Sequence, residues 1–306
     1  MILQRVTPFS WKAYSIFLTG SSGFVGKSIE NSNQFGRIIP YKKGDHIDLD
    51  HIDSVVHLAG KAHDLKNSSS TKDYYEVNTE LTKVFYDAFL ASEAKVFIWL
   101  SSVKAVADEV EGVLTEDHGP NPITHYGKSK LLGEQYIFSK EIPYGKRVYV
   151  LRPCMIHGPG NKGNLNLLYK LVSKNIPWPL GAFENRRSFC SIENLMFIFM
   201  ELIEREDIPS GIYNVADDEP LSTNELIGII EQCQIRKLKV WKISRALIEK
   251  LARIGDKLNL PLNSDRLGKL TSSYIVSNAK IKAAIGKPLP VSSREGLLRT
   301  FKSFKS

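Results

Sequence analysis

A phenol and an ammonium four residues apart, Tyr126 and Lys130 in the run His125-Tyr126-Gly127-Lys128-Ser129-Lys130, are the residues whose chemistry the rest of the chain must explain. In a helix, positions i and i+4 share a face. A tyrosine titrates near 10 in water, so it moves a proton near neutrality only beside a cation that stabilises the phenolate, and Lys130 is placed to be that cation. On its own the pair fits a solvated helix surface equally well, since both residue types are common in helices. Two upstream features set it apart. A glycine-rich turn lies near the N-terminus, and the hydroxyl pair Ser101-Ser102 ends an apolar run about 25 residues before the tyrosine, in the order an open α/β sheet delivers such groups to one edge.

The elements that must hold these groups can be read in order. Ser15 to Thr19 is a short apolar run of the kind found in buried parallel strands, closed at once by Gly20-Ser21-Ser22-Gly23-Phe24-Val25-Gly26. Such a turn needs one glycine for the tight bend, one for close approach of backbone to a pyrophosphate, and one for helix packing on the strand. The spacing here is Gly-x-x-Gly-x-x-Gly. A second strand is expected over residues 36–41. No acid stands at its end to take the ribose hydroxyls; Lys42 and Lys43 follow, either as a seat for a 2′-phosphate or as solvated loop residues. The stretch from Asp45 to Asp53 is short and acidic, too short for a crossover helix, and Asp48 is its candidate adenine contact. The next strand, Ser54 to Gly60, carries His57 among apolar neighbours, as a satisfied core histidine would be.

Apolar positions at helical spacing predict one long helix from Thr71 to Ala91, with Asn78 its odd polar member. Residues 95–100 form a strand that brings Ser101 and Ser102 to its carboxyl end, and Arg147 to Arg152 form another. After Pro153 the alternation weakens, so residues 1–155 are expected to form a doubly wound α/β nucleotide-binding domain and residues 156–306 mainly a smaller α+β substrate region, with about 188–217 returning to the first. Arg186 and Arg187 share a loop, an arrangement suited to a diphosphate because guanidinium donors match phosphate oxygens. Ser244 to Leu260 reads as an amphipathic basic helix with Leu247, Ile248, Leu251, Ile254 and Leu258 on one side, for which core packing is the expected use ahead of a lipid-facing surface.

Composition narrows the function classes. The net charge is 41 − 33 = +8, but the lysines are scattered, which suits a phosphate-bearing small ligand better than nucleic acid. Cys154, Cys190 and Cys233 are far apart and odd in number, so neither a disulfide framework nor a metal site is expected, and a reducing cytoplasm is the natural compartment. The longest apolar stretch, Leu195 to Met200, is broken by Glu201 well short of a membrane span.

Taken together, Thr19 to Gly26, His57-Leu58-Ala59-Gly60, Asn78, Ser101-Ser102, Tyr126 to Lys130 and Leu151-Arg152-Pro153 resemble the extended short-chain dehydrogenases/reductases, and more narrowly the NAD-dependent epimerase/dehydratase family of nucleotide-sugar enzymes. The resemblance runs from about Ile16 to Phe301. The carboxyl half, through Arg152-Pro153, His157 to Gly160, Pro177 to Gly181 and Asn185 to Ser188, is similar to a bacterial polysaccharide-locus branch of 4-ketoreductases and 4-epimerases. The likeness implies a Rossmann-type fold with NAD or NADP, held by Gly20, Ser22, Gly23, Phe24, Val25, Gly26, Lys42, Asp48, Leu58, Ala59, Gly60, Asn78, Ser101, Tyr126, Lys130 and Pro153. It makes Tyr126 the acid/base and Lys130 the residue that orients the nicotinamide ribose and lowers the tyrosine. Ser102 then bonds the sugar oxygen, Arg187 the diphosphate and Asn164 the sugar nucleotide, with a UDP-sugar as substrate and a homodimer as the assembly allowed. Dehydratases of the family carry an Asp-Glu pair after the position of Ser102; Val103-Lys104 stand here, which argues against water elimination, and Met155 replaces an asparagine that many members use. The absent acid after the second strand tilts the expectation to NADP(H) and a 4-ketoreductase of a UDP-4-keto-6-deoxy-sugar. A 4-epimerase of UDP-glucose or UDP-N-acetylglucosamine is the alternative, and a non-catalytic NAD(P)-binding sensor the rival of another class.

Overall fold

The computed structural model describes residues 14–61, 70–161, 163–174, 177–234, 238–258 and 263–304. The first half runs β1 (Ser15–Thr19), α1 (Phe24–Glu30), β2 (Arg37–Pro40), β3 (Ser54–His57), α2 (Thr71–Tyr75), a π turn (Glu76–Glu80), α3 (Leu81–Ala91) and β4 (Val96–Leu100). A 3₁₀ turn (Val103–Ala105), β5 (Val113–Leu114), α4 (His125–Phe138), β6 (Arg147–Pro153), β7 (Met155–His157), α5 (Asn164–Ser173), β8 (Phe189–Ser191), α6 (Ile192–Glu204) and β9 (Gly211–Val215) follow. The chain closes with α7 (Thr223–Gln234), α8 (Arg245–Leu258), α9 (Ser264–Thr271), β10 (Ile275–Val276), α10 (Ala279–Ile285) and α11 (Ser293–Ser303).

Six strands form one parallel sheet in the order β2-β1-β3-β4-β6-β9. Because successive strand residues point to opposite faces, alternate side chains feed two cores. Ile16, Leu18, Val56, Ile98 and Leu151 pack with Leu195, Phe199 and Leu202 of α6. Phe17, Val55, Phe97, Trp99 and Val150 pack with Phe85 and Phe89 of α3 and Ile137 of α4. A sheet covered on both faces explains why its strands read as unbroken apolar runs in the sequence. The order reverses beside β1, with β2 to one side and β3 to the other, which opens the crevice at the carboxyl ends where ligands of such sheets bind. A separate core under the carboxyl half gathers Trp178, Leu180, Leu226, Ile230, Leu297 and Phe301.

Two elements depart from the sequence reading. The helix expected from Thr71 to Ala91 is interrupted by the π turn, which holds Asn78. In α8 only one of the five apolar residues assigned to the core is buried: Ile248 is 3% exposed, whereas Leu247, Leu251, Ile254 and Leu258 are 48%, 45%, 43% and 64% exposed. The helix rests on the second core through Ile248, Ala252 and Gly255, a stripe displaced round the helix from the apolar one. Among the described residues no helix is long and apolar enough to cross a membrane.

Candidate active site

At the carboxyl end of β1 the chain turns through Gly20, whose φ of +73° favours glycine. A β-carbon there would lie 2.6 Å from the Ala59 nitrogen, and one at Gly26 would lie 2.3 Å from the Gly20 carbonyl oxygen, so both positions exclude any larger residue. Gly23 and Ser22 are exposed at the crest of the turn, Gly23 immediately before the first residue of α1. Phe24 and Val25 face inward and pack on the core. The Leu58 and Ala59 amides are fixed to Thr19 by bonds of 3.2 and 3.0 Å, which holds the β3 end against the turn. His57 is the satisfied core histidine expected: its ring nitrogens meet the Thr19 and Thr82 hydroxyls at 2.6 and 3.1 Å, and burial pulls it down to about 3.

Helix α4 carries Tyr126 and Lys130, and its seat is built closely. Thr124 caps it by accepting the Gly127 amide at 3.2 Å, and the Asp108 carboxylate accepts the Ile123 and Thr124 amides at 2.8 and 3.1 Å. A β-carbon at Gly127 would stand 2.2 Å from the Lys104 carbonyl oxygen, and one at Gly133 2.4 Å from the Trp99 ring, so two glycines let α4 press onto β4 and the 3₁₀ turn after it. The helix is also bolted through its interior. Buried Glu134 receives the Nε of Arg152, from β6, at 2.9 Å and the Ser101 hydroxyl at 2.6 Å.

Tyr126, Ser102 and Lys130 come together at this edge. Burial pushes the Tyr126 phenol up; a hydrogen bond with the Ser102 hydroxyl pulls the other way, and Tyr74, edge-on at 6.2 Å between ring centroids, adds to the rise. The cation expected to lower the tyrosine is itself perturbed. Lys130 is 4% exposed, and burial takes its ammonium down to about 7 against the opposing pull of Glu134. Its Nζ donates to the Leu100 carbonyl at 2.8 Å and lies 4.8 Å from the Trp99 ring centroid. The Ser102 hydroxyl also accepts the Lys104 amide at 3.2 Å, so it is fixed as the cap of the 3₁₀ turn.

The other expected contacts divide. Gly60 borders the Lys130 ammonium and the Asn78 amide. Asn78 is fully buried and engaged: its oxygen accepts the Lys61 amide at 2.8 Å while its nitrogen donates to the Lys61 carbonyl and the Ser129 hydroxyl at 3.1 and 3.0 Å, so its side chain ties the β3 exit to α4. Ser101 points inward to Glu134, and Pro153 is buried at the end of β6. Lys42 and Lys43 are exposed, and the Lys42 amide is bonded to the Asp45 carboxylate at 3.0 Å, so an acid does stand near the end of β2, folded back by a turn. Exposed Asp48 accepts the Asp50 amide at 3.0 Å and lines a cavity of about 350 Å³ with Tyr41, Asp45 and His51. Asn164 is exposed at the first position of α5, and none of the described hydrogen bonds involves its side chain. Arg187 bridges the strand-like segments at Leu221 and Tyr274, its guanidinium donating to the Ser272 carbonyl and hydroxyl at 2.9 and 2.8 Å. Met155 packs against the second core.

The sequence reading missed Glu134, Trp99, Tyr74 and Lys104. The Lys104 Nζ lies 4.2 Å from the Tyr274 ring centroid and donates to the Asp108 carbonyl at 2.7 Å, and burial, with the Arg187 charge across this corner, pulls its ammonium down against the nearby Asp108. Glu134 could have been found as a buried-side acid two turns beyond Tyr126 on α4; nothing local marks the other three. A separate cavity of about 1050 Å³ opens between α1, α6 and the segment before α11, beside Phe197 and Met200, and none of the Tyr126 group lines it.

The family model of the NAD dependent epimerase/dehydratase family matches residues 45–216, more than half of the chain. The chain belongs to this family. It is 29% identical to a UDP-glucose 4-epimerase of Vibrio cholerae, in an alignment covering 95% of each protein. It is 27% identical to the N-acetyl-alpha-D-glucosaminyl-diphospho-ditrans,octacis-undecaprenol 4-epimerase of Escherichia coli O157:H7, over 88% of this chain and 84% of that one. Among solved structures, UDP-N-acetylglucosamine 4-epimerase from Bacillus cereus superposes with a TM-score of 0.73 at 19% identity, covering 96% of this chain and all of that one, a likeness of fold.

Proposed function

We propose that this family member acts at C4 of a UDP-linked hexose or N-acetylhexosamine and inverts that centre, as a nucleotide-sugar 4-epimerase. The observation that carries the reading is the hydrogen bond between Tyr126 and Ser102, two hydroxyls from different elements that meet at the carboxyl edge of the sheet with Lys130 buried one helical turn away. Tyr126 holds and moves the proton on the sugar C4 oxygen, and Ser102 orients that oxygen. Tyr126 takes the proton of the C4 hydroxyl as the hydride leaves C4 and returns it when the hydride comes back to the other face; burial pushes the phenol up, against that first step, and the Ser102 hydrogen bond pulls it down and steadies the phenolate.

The glycine turn fits a dinucleotide, because Gly20 and Gly26 let the turn pack directly on residues 58–59 and on itself, where a β-carbon would collide with backbone, and exposed Gly23 leaves the start of α1 open to a pyrophosphate. When bound, the nicotinamide supplies the hydride acceptor and donor. Lys130 is set to meet its ribose, and the 58–60 segment walls the same crevice. With Val103-Lys104 after Ser102, the site lacks the acid pair that eliminating water would need.

The preference for epimerisation rests on Asp45. An epimerase does best with a cofactor it never releases, and a carboxylate folded onto Lys42 near the end of β2 puts negative charge at the place where this fold reads the adenosine ribose, which suits NAD. The two curated relatives described above are 4-epimerases by name, which points the same way. A 4-ketoreductase of a UDP-4-keto-6-deoxy-sugar is the second reading, favoured by the exposed side chains of Lys42 and Lys43, which suit NADP(H). Either carrier, UDP or a lipid diphosphate, presents a pyrophosphate for Arg187.

Purified protein should interconvert UDP-N-acetylglucosamine or UDP-glucose with the C4 epimer without added cofactor, and Tyr126→Phe should lower that turnover at least about a hundredfold, the usual worth of a general acid/base. NADPH oxidation with a UDP-4-keto-6-deoxy-hexosamine, and no epimer formed in the first assay, would transfer the assignment to the reductase.

A further inference from the structure

At 3.6 residues per turn, Leu247, Leu251, Ile254 and Leu258 of α8 fall within about 60° of one another round the helix. All four are 43–64% exposed, and Trp241, just before the helix, is 51% exposed. The stripe that α8 buries in the second core, Ile248, Ala252 and Gly255, lies about 100° to one side. On the other side, within about a quarter turn, stand Lys250 and Lys257, with Arg253 beyond them; the acids Glu249 and Asp256 fall on the face opposite the apolar stripe. From Lys239 to Leu258 the segment has six basic and two acidic residues. Scattered single apolar residues on a surface need no explanation, but an apolar stripe over three turns with cations along its free margin and acids turned away does.

We propose that α8 is an interfacial helix that docks this protein on an anionic lipid bilayer, lying in the plane of the headgroups without crossing them. The two-part margin decides the occupant. An apolar partner surface alone would be served by the leucine stripe, whereas apolar side chains bordered by lysines match a surface that is apolar below and negatively charged at its rim. Tryptophan is a residue of that boundary, its ring amphipathic. The element is also connected to the substrate side of the molecule. α9 comes after α8 in the chain, and Ser272, the residue that follows α9, receives the Arg187 guanidinium, so the docked helix and the anchor of Arg187 belong to one stretch of chain.

The test is sedimentation of the full chain with sucrose-loaded vesicles of 30% phosphatidylglycerol in phosphatidylcholine, against vesicles of phosphatidylcholine alone. The wild type should bind the anionic vesicles at least about tenfold more tightly, with a blue shift of tryptophan emission lost in Trp241→Ser, and should be released by 0.5 M salt. Leu251→Ser with Ile254→Ser, and separately Lys250→Glu with Lys257→Glu, should each weaken binding at least about tenfold while melting temperature and turnover of a soluble sugar nucleotide stay at wild-type values, since these side chains are already exposed. No binding to anionic vesicles, or equal binding to both kinds, overturns the proposal. So does a dimer in solution that the Leu251→Ser, Ile254→Ser protein no longer forms, because the stripe would then be covered by a second copy.

Discussion

Replacing Lys130 by methionine should make the nucleotide-free protein more stable at pH 6 and nearly inactive. Burial lowers the Lys130 ammonium from 10.5 to about 7. At about 1.4 kcal/mol per pH unit, the charged side chain is roughly 5 kcal/mol worse off in the fold than in the unfolded chain. Methionine of similar length removes that penalty but leaves the Leu100 carbonyl without its donor, a loss of about 1–3 kcal/mol for a buried acceptor. The net gain is roughly 2–4 kcal/mol at pH 6, a rise in Tm of several degrees for a chain of this size. The pH dependence gives the direction. Between pH 7 and 10.5 the unfolded chain holds a proton on Lys130 that the folded chain has released, so wild-type stability rises through this window and the advantage of the variant shrinks, to about nothing near pH 9. Thermal melts of both proteins at pH 6, 7.5 and 9 check this. A Tm gap that does not change with pH, or a Lys130→Met protein less stable than wild type at pH 6, would refute the claim that Lys130 is held against its own solvation. Turnover of the variant should fall at least about a hundredfold, so that a residue costly to the fold is kept for its chemistry.

If Arg187 grips a diphosphate, Arg187→Ala should weaken UDP binding by about 1.5–3 kcal/mol in a calorimetric titration while affinity for the dinucleotide barely moves; unchanged UDP affinity would dispose of the role. Gly127→Ala, which helix propensity alone would favour by about 1 kcal/mol, should instead destabilise, because its β-carbon meets the Lys104 carbonyl at 2.2 Å, whereas Gly119→Ala, with open space around it, should be neutral in the same melts.

The parts of this molecule that were legible in its sequence are those governed by local rules. The β1 turn could be read because glycine alone satisfies its backbone, the strands because a doubly covered sheet needs unbroken apolar runs, and the Tyr126 helix because its spacing is that of one face. What escaped depends on partners far away in the chain. Nothing near Ser101 announces that its hydroxyl turns to Glu134, 33 residues on, itself held by Arg152. The lysines at the end of β2 could be read, but not that Asp45 folds back to accept the Lys42 backbone amide and so sets a carboxylate beside them. Leucines on a basic helix look like core until the helix is seen to rest on the neighbouring stripe, since periodicity reports an apolar face but not what covers it.

The π turn at Glu76–Glu80 works as a phase shifter. Ahead of it, α2 presents Tyr74 to the Tyr126 ring and Tyr75 to His125; behind it, α3 presents Phe85 and Phe89 to the sheet. An uninterrupted α-helix would need both surfaces to lie on one 3.6-residue repeat, and the extra residue of a π turn resets the count by about 100° between them. The length of this segment is therefore under tighter constraint than its composition. Deleting exposed Glu76, which precedes the buried ties of Asn78 and Thr79 to α4, should leave those ties and the α3 side packed and swing the tyrosines away from the site, unmaking the wall beside Tyr126.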